Sequence, residues 1–333
     1  MVLQSKLMLQ VRTNCFITYF KNDWRHQIDE YQKEVLRIAI SKVRKTQYSG
    51  QLREGTKKRM ARAIDLLVQV STKRWVDNPI TGFTQPHRLS FITITVSQIK
   101  NLTQRQVYDS CFKHFLQWLR RTQKVNTYIW KVEFQKRGQI HYHITTPSWI
   151  HYQSIRDKWN NLQKKAGIID NYRREQQAYH KEEFTARPWL YKLWNHQKQL
   201  AAYNKGIKDN WTDPNSTDIH EVKHIKDLSN YLKKEFCKSI QNPDTDGKVW
   251  DCSLNLKKIG YYQSEYNFDL LNHLIKLKYE NKVHEKELEQ CSVILPYKQG
   301  IEQFMTLPQL TEYDNHKTLI RNYNRKKPIK KEK

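Results

Sequence analysis

The chain of 333 residues is long enough for one sizeable core and a second, smaller unit. It carries 59 Lys and Arg against 33 Asp and Glu, a formal excess of +26. A compact protein rarely tolerates such self-repulsion without a polyanionic partner, so nucleic acid is the first candidate and an anionic membrane surface the second. Interleaved with the cations are 10 Trp, 19 Tyr and 11 Phe, and flat rings beside phosphate-pairing cations suit a single-stranded nucleic acid best. No apolar run approaches the roughly 20 residues that span a bilayer, which argues against a membrane partner. Met1–Gln10 has no apolar block of signal-peptide type. The five cysteines (Cys15, Cys111, Cys237, Cys252, Cys291) form no CxxC pair, which excludes a zinc ribbon and points to a reducing cytoplasm. The chain has no GxxxxGK[ST] loop, so no ATP-driven helicase is expected within it.

In chain order, residues 24–74 read as two basic helices. In the second, Met60, Ala63, Ile64, Leu67 and Val68 recur at helical spacing, with Lys57, Lys58, Arg59 and Arg62 on the other faces. Asp77 to Pro86 holds two prolines and a glycine and reads as a linker. Leu89 to Val96 is β-branched and partly alternating, a strand. Thr103 and Gln106 form a capping box ahead of an amphipathic helix over 104–122, where Val107, Cys111, Phe115 and Leu119 rise at four-residue steps. Thr127 to Gln135 and Gln139 to Thr145 read as strands around a tight turn, and Ile155, Trp159, Leu162 and Ala166 mark a helix. Residues 170–216 are polar, rich in Trp and Tyr, and read as an irregular insertion. Asp218 to Val222 reads as a short strand, Asp227 caps a helix to about Lys238, and a further helix lies near 267–285. Seven of the 13 residues from Arg321 to Lys333 are Lys or Arg, a basic tail.

This order predicts an α+β fold: an antiparallel sheet with helices packed on it, plus helical N- and C-terminal extensions. The expected divisions are a basic helical region over 1–80 and a central domain over 87–240 with an insertion at 170–216. A mixed C-terminal region over 241–320 and the tail over 321–333 follow.

The most informative segment is Trp130 to Thr145, WKVEFQKRGQIHYHIT. His141 and His143 are two apart on a strand, so both rings point to one face. If Lys136, Arg137 and Gly138 form a three-residue loop with Gly138 left-handed, Glu133 pairs with His141 and lies diagonal to His143 on that same face. A two-residue loop of Arg137–Gly138 would turn Glu133 away. Two imidazoles and one carboxylate with open positions suit Mg2+ or Mn2+ on a substrate phosphate. Unaided, a His-x-His pair is more often two half-buried polar residues.

In the helix DLSNYLKKEFCK, Ile225, Leu228, Leu232 and Phe236 form an apolar stripe with Tyr231 at its edge, and Lys234 and Lys238 share its side. A phenol holds its proton at neutral pH; neighbouring ammonium groups favour the phenolate and offset charge gathering on a phosphorane. An amphipathic helix with a solvated basic face is the plainer reading of the same pattern.

Three segments, in order over about residues 88–240, resemble the HUH endonuclease superfamily in its rolling-circle replication initiator branch, as found in bacterial plasmids and single-stranded DNA phages. Phe91-Ile92-Thr93-Ile94-Thr95 looks like the first motif, a strand with alternating Thr. His141-Tyr142-His143 looks like the His-hydrophobic-His motif, with Glu133 at the place of the extra ligand, and Tyr231-Leu232-Lys233-Lys234 looks like the Tyr-x-x-Lys motif. The resemblance implies a ferredoxin-like palm, a metal on Glu133, His141 and His143, and Tyr231 as the nucleophile that nicks single-stranded or hairpin origin DNA. A 5′-phosphotyrosine and a free 3′-OH result, and Lys234 steadies the phosphate or the leaving oxygen. It also implies a cytoplasmic site of action in a bacterial host whose helicase and DNA polymerase complete replication. Glu235 stands where two-tyrosine relatives carry their second tyrosine, which favours one nucleophile; Tyr191, followed by Lys192, is the reserve. The competing readings are an HUH transposase or mobilisation nuclease, a non-catalytic single-strand-binding protein, and an RNA-associated basic protein.

Overall fold

The computed structural model describes residues 5–22, 35, 52–78, 82–97, 102–135, 138–188, 195–221, 228–236, 247–265, 268–288, 291–297 and 300–323. The first expected basic helix falls almost wholly outside these residues, as do Tyr191, Lys192, Ile225, Asp227, Lys238 and the tail beyond 323. The chain divides into two compact units, residues 48–57 with 71–253, and residues 1–47, 58–70 and 254–333.

The described elements begin with β1 (Ser5–Val11), β2 (Phe16–Asn22) and α1 (Glu54–Val70). Then come β3 (Arg74–Asp77), β4 (Thr84–His87) and β5 (Ser90–Thr95). A continuous helix follows in three segments: α2 (Gln104–Val107), a π-helical turn over Tyr108–Phe112, and α3 (Lys113–Arg121). After it lie β6 (Ile129–Phe134), β7 (Ile140–Thr146), α4 (Tyr152–Lys165), α5 (Ile168–Tyr179) and α6 (His196–Asp209). β8 (Thr217–Glu221), α7 (Leu228–Phe236) and β9 (Trp250–Cys252) close that unit. The remainder is α8 (Leu254–Lys258), β10 (Gln263–Glu265), α9 (Phe268–Tyr279), β11 (Val283–Leu288), β12 (Cys291–Pro296) and α10 (Leu307–Asn322).

The protein is α+β with antiparallel sheets. The sheet that carries the histidines has the order β8-β5-β7-β6-β9, antiparallel throughout. Its first four strands, with helices after β5 and after β7, follow the split βαβ order of ferredoxin-like sheets. Strand alternation separates its two faces: β5 buries Ile92 and Ile94 and leaves Phe91, Thr93 and Thr95 half-exposed. Against the buried face pack Val107, Phe112, Phe115 and Leu119 of the segmented helix and Ile155 and Trp159 of α4. Phe112 stacks flat on Tyr142 at 3.7 Å and meets Trp130 edge-on at 4.9 Å. Thr103 and Gln106 close the capping box that starts this helix.

The tight turn is a three-residue loop. Gln135 N–H donates to Gln139 O at 2.9 Å and Gly138 N–H to Gln135 O at 2.7 Å, and Gly138 has φ +82°. The register then pairs Glu133 with His141, as the spacing predicts.

Four segments differ from the sequence reading. Asp77–Pro86 is not a linker: β3 and β4 form a two-stranded antiparallel ladder pairing Arg74 with His87, in which Pro86 takes a strand position that only an edge tolerates. Residues 170–216 are largely helical. Gly167, at φ +72°, ends α4 and starts α5, and Asn210, at φ +51°, ends α6. The helix expected near 267–285 stops at Tyr279, and left-handed Asn281 turns the chain into β11. The terminal extensions are not purely helical, because β1 and β2 join a second antiparallel sheet, order β10-β1-β2-β12-β11. Its core takes Leu9, Val11 and Phe16 from these strands and Leu270, Leu274 and Leu277 from α9. In this unit the buried carboxylate of Asp65, on α1, accepts from Thr13 Oγ1 at 3.0 Å and from Tyr261 Oη at 2.7 Å.

No atom stands where a Cβ on Gly138 would project, so only the left-handed backbone opposes a side chain there. Gly138→Ala is expected to cost about 1–2 kcal/mol, measured by urea denaturation. A neutral result would mean that the loop adopts another geometry.

Candidate functional site

The open face of the β8-β5-β7-β6-β9 sheet is built in cross-strand rows. One row runs Thr95, His141, Glu133. The next runs Asp218, Thr93, His143, Lys131, Trp250, and a third runs His220, Phe91, Thr145, Ile129, Cys252. Residues directly opposed in an antiparallel pair share a face, so the three expected ligands stand on one surface with Lys131 among them.

The alternating threonines of β5 orient both imidazoles. Thr93 Oγ1 lies 3.0 Å from His143 Nδ1 and Thr95 Oγ1 lies 3.2 Å from His141 Nδ1. Each ring is thereby held at Nδ1 and keeps Nε2 for other work, the arrangement that outer partners give to ligating histidines. His143 Nε2 donates to Glu133 Oε2 at 3.0 Å. His141 Nε2 is buried and has no hydrogen-bond partner among the described residues. Phe91 packs on His143 at 5.3 Å and on His220 at 5.0 Å, walling the site toward β8.

Lys131 is a site residue that the sequence reading does not single out. Its side chain is 2% exposed and its Nζ donates to Glu133 Oε1 at 3.0 Å. A buried ammonium needs such a partner. The signal is present in the sequence: Lys131 is two residues before Glu133 on one strand, so it shares the carboxylate's face. Partial burial alone would raise Glu133, but the hydrogen bond from His143 and the charge and hydrogen bond of Lys131 outweigh it and hold the carboxyl down at about 2. Burial, with the nearby His143 adding to it and Glu133 opposing, lowers His141 to about 4. At neutral pH His141 is therefore an uncharged ring with a lone pair to give.

The donors fit a divalent cation in kind: one carboxylate, an uncharged imidazole with an orphaned Nε2, and a second imidazole whose Nε2 faces the carboxylate. In their present arrangement Glu133 is engaged by Lys131 and His143. Among the described residues no group of three or more His, Cys, Asp or Glu is gathered to hold a metal ion. To ligate through Nε2, His143 must move its proton to Nδ1, where Thr93 Oγ1 can accept it.

Tyr231 lies on α7, 37% exposed, at the rim of a helix anchored by fully buried Leu232 and Phe236. Lys234 is exposed on the same helix and Lys233 half-buried. Among the described residues no hydrogen bond, ion pair or ring contact joins Tyr231 or Lys234 to Glu133, His141 or His143. The three hairpin residues are thus brought together, and the helix pair stands apart from them in contact terms.

Residues 89–240, less than half of the chain, match the family model of the replication-associated protein ORF2 family. This similarity supports a replication initiator of the Rep type that interacts with DNA. No curated protein and no solved structure matches the chain. Among the described residues no helix is long and apolar enough to cross a membrane.

The two perturbed groups act in the same direction on acidification. His141 binds its proton later than in the unfolded chain, so its contribution is present above pH 6.5 and is lost as pH falls toward about 4. That of Glu133 is present above pH 4.5 and lost toward about 2. In EDTA, urea midpoints should fall between pH 6.5 and 4, and His141→Gln should flatten that part of the profile. An unchanged slope in the variant would show that His141 is not a buried neutral ring.

Proposed function

We propose that the chain is a rolling-circle replication initiator of the HUH type, which nicks and rejoins single-stranded DNA through a 5′-phosphotyrosine. The observation that carries this reading is the pair of imidazoles anchored at Nδ1 by Thr93 and Thr95, with Glu133 across the strand from His141. The match of residues 89–240 to a replication-associated family supports it.

Glu133, His141 and His143 would hold Mg2+ or Mn2+. When bound, the cation supplies charge neutralisation at a phosphodiester oxygen. Tyr231 Oη forms a bond to phosphorus, the bond from phosphorus to the 3′ oxygen breaks, and that oxygen takes up a proton to become a free 3′-OH. The phenol proton leaves to solvent or to a base, helped by the cationic side of α7 that Lys234 provides. The phosphodiester energy stays in the tyrosyl ester, so attack by a later 3′-OH reseals the strand and releases Tyr231 without ATP. No helicase motif lies in the sequence, so this reading assigns unwinding and synthesis to a host helicase and polymerase, with a hairpin or single-stranded origin as substrate.

A second reading, a non-catalytic single-strand-binding protein, is favoured by one observation: the Glu133 carboxylate is already matched by Lys131 and His143. One experiment separates the two. With single-stranded origin DNA and Mn2+, the catalytic reading expects a covalent adduct mapped to Tyr231 by mass spectrometry. Tyr231→Phe should lose the adduct while binding DNA within about twofold of wild type. His141→Ala or His143→Ala should lower nicking by about 100-fold or more. Cleavage that persists in EDTA, or an adduct at another tyrosine, overturns the assignment.

A further inference from the structure

The helices between α4 and β8 gather an aromatic cluster that the hairpin chemistry does not use. At its centre His180 lies 4.9 Å from Tyr203 and 5.0 Å from Tyr179. Trp211 and Phe184 each lie 6.1 Å from the same ring, nearly parallel to it at 6° and 14°. Gly206 makes room for the indole, since a Cβ there would come within 2.2 Å of Trp211 Nε1. Arg187 sets its guanidinium 3.7 Å over the Tyr179 ring.

A cavity of about 230 Å³ opens beside this cluster. Tyr172, Phe184, Tyr203 and Trp211 give it flat walls, and Gln176 and Arg187 give it polar edges. Among the described residues no carboxylate lines it. Arg187 Nε is buried and has no hydrogen-bond partner among the described residues, a donor that suits an acceptor on whatever enters. Burial, with the charge of Arg187, lowers His180, so its ring is uncharged at neutral pH. Flat walls, a spare donor and no acid describe a receptor for a planar, acceptor-rich group attached to phosphate, not for an aliphatic one. Position adds to chemistry: Ser97 and Gln139 line the cavity, two residues from Thr95 and His141 respectively. Two residues of extended chain span about 7 Å, so the cavity adjoins the end of the open face where His141 stands.

We propose that this cavity captures one unpaired base of the DNA strand, within a nucleotide or two of the phosphate held at the Glu133–His141–His143 face, and so helps choose where the strand is cut. The location relative to the cut rests on the nicking reading; base capture itself requires only a single strand. Stacking between rings holds the base, and Arg187 and Gln176 read its edge.

The test uses the full chain in EDTA, where no metal-dependent cleavage takes place. Short single-stranded oligodeoxynucleotides carry 5-iododeoxyuridine at one position at a time, are irradiated on the protein, and the linked peptides are mapped by mass spectrometry. Crosslinks to Trp211, Tyr203 or Phe184 are expected. In parallel, Ala202→Trp places a ring in the cavity from its exposed rim without removing any wall. It should weaken single-strand binding about tenfold, yet leave the affinity for an abasic strand unchanged. Crosslinks that fall only outside the cluster, or equal binding by wild type and Ala202→Trp, overturn the proposal. Failure to form a Tyr231 adduct with Mn2+ would overturn the nicking reading and leave these two measurements standing.

Discussion

The pairing of β6 with β7 decides which chemistry the sheet presents. Left-handed Gly138 closes a loop that sets Glu133 opposite His141. A slip of one residue would carry Lys131 and Glu133 into the aromatic core and expose Trp130 and Val132 in their place. Both faces resist that slip. Trp130 is wedged between Phe112 and Tyr142, and Lys131 donates to Glu133 on the open side. Register, core packing and the ion pair therefore enforce one another.

The two faces of the sheet divide the work. The closed face is a dense set of rings and branched chains that fixes the strands. The open face carries polar groups whose positions follow from that rigidity. The threonines of β5 show the link most directly. Ile92 and Ile94 lock the strand from behind, so Thr93 and Thr95 present their hydroxyls to the two histidines. Neither imidazole has to be ordered by a ligand, because each is already tied at Nδ1.

Much of this arrangement is legible in the sequence, and the reasons are local. The Lys-Arg-Gly turn and the strand period of two place Glu133 and both histidines, and the Thr103–Gln106 pair marks the helix start, since each depends on a few adjacent residues. The parts that escape depend on distant partners. β1 and β2 have strand-like alternation only in short pieces and are fixed by pairing with β10 and β12, whose residues lie more than 200 positions away. The helices α5 and α6 lack an aliphatic stripe; rings from Tyr179, Tyr203 and Trp211 pack them instead, so their periodicity is hidden. Lys131 escapes because a lysine inside a strand is ordinarily a solvent-facing residue, and only the paired carboxylate makes its burial tolerable.

That buried lysine shapes what the open face can do. A lone carboxylate there would repel an approaching phosphodiester. With Lys131 on Oε1 and His143 on Oε2, Glu133 presents no unmatched negative charge, while the chain around it is strongly basic. The same pairing sets the condition for any cation that binds: it must compete with an ammonium group already in contact, at a carboxyl held near 2 and beside an imidazole whose Nε2 lacks a partner among the described residues. Affinity then depends on how far Glu133 can turn from Lys131 toward His141. A substrate phosphate that draws Lys131 to itself would ease that turn, so metal and DNA binding at this face are expected to support one another through a single shared carboxylate.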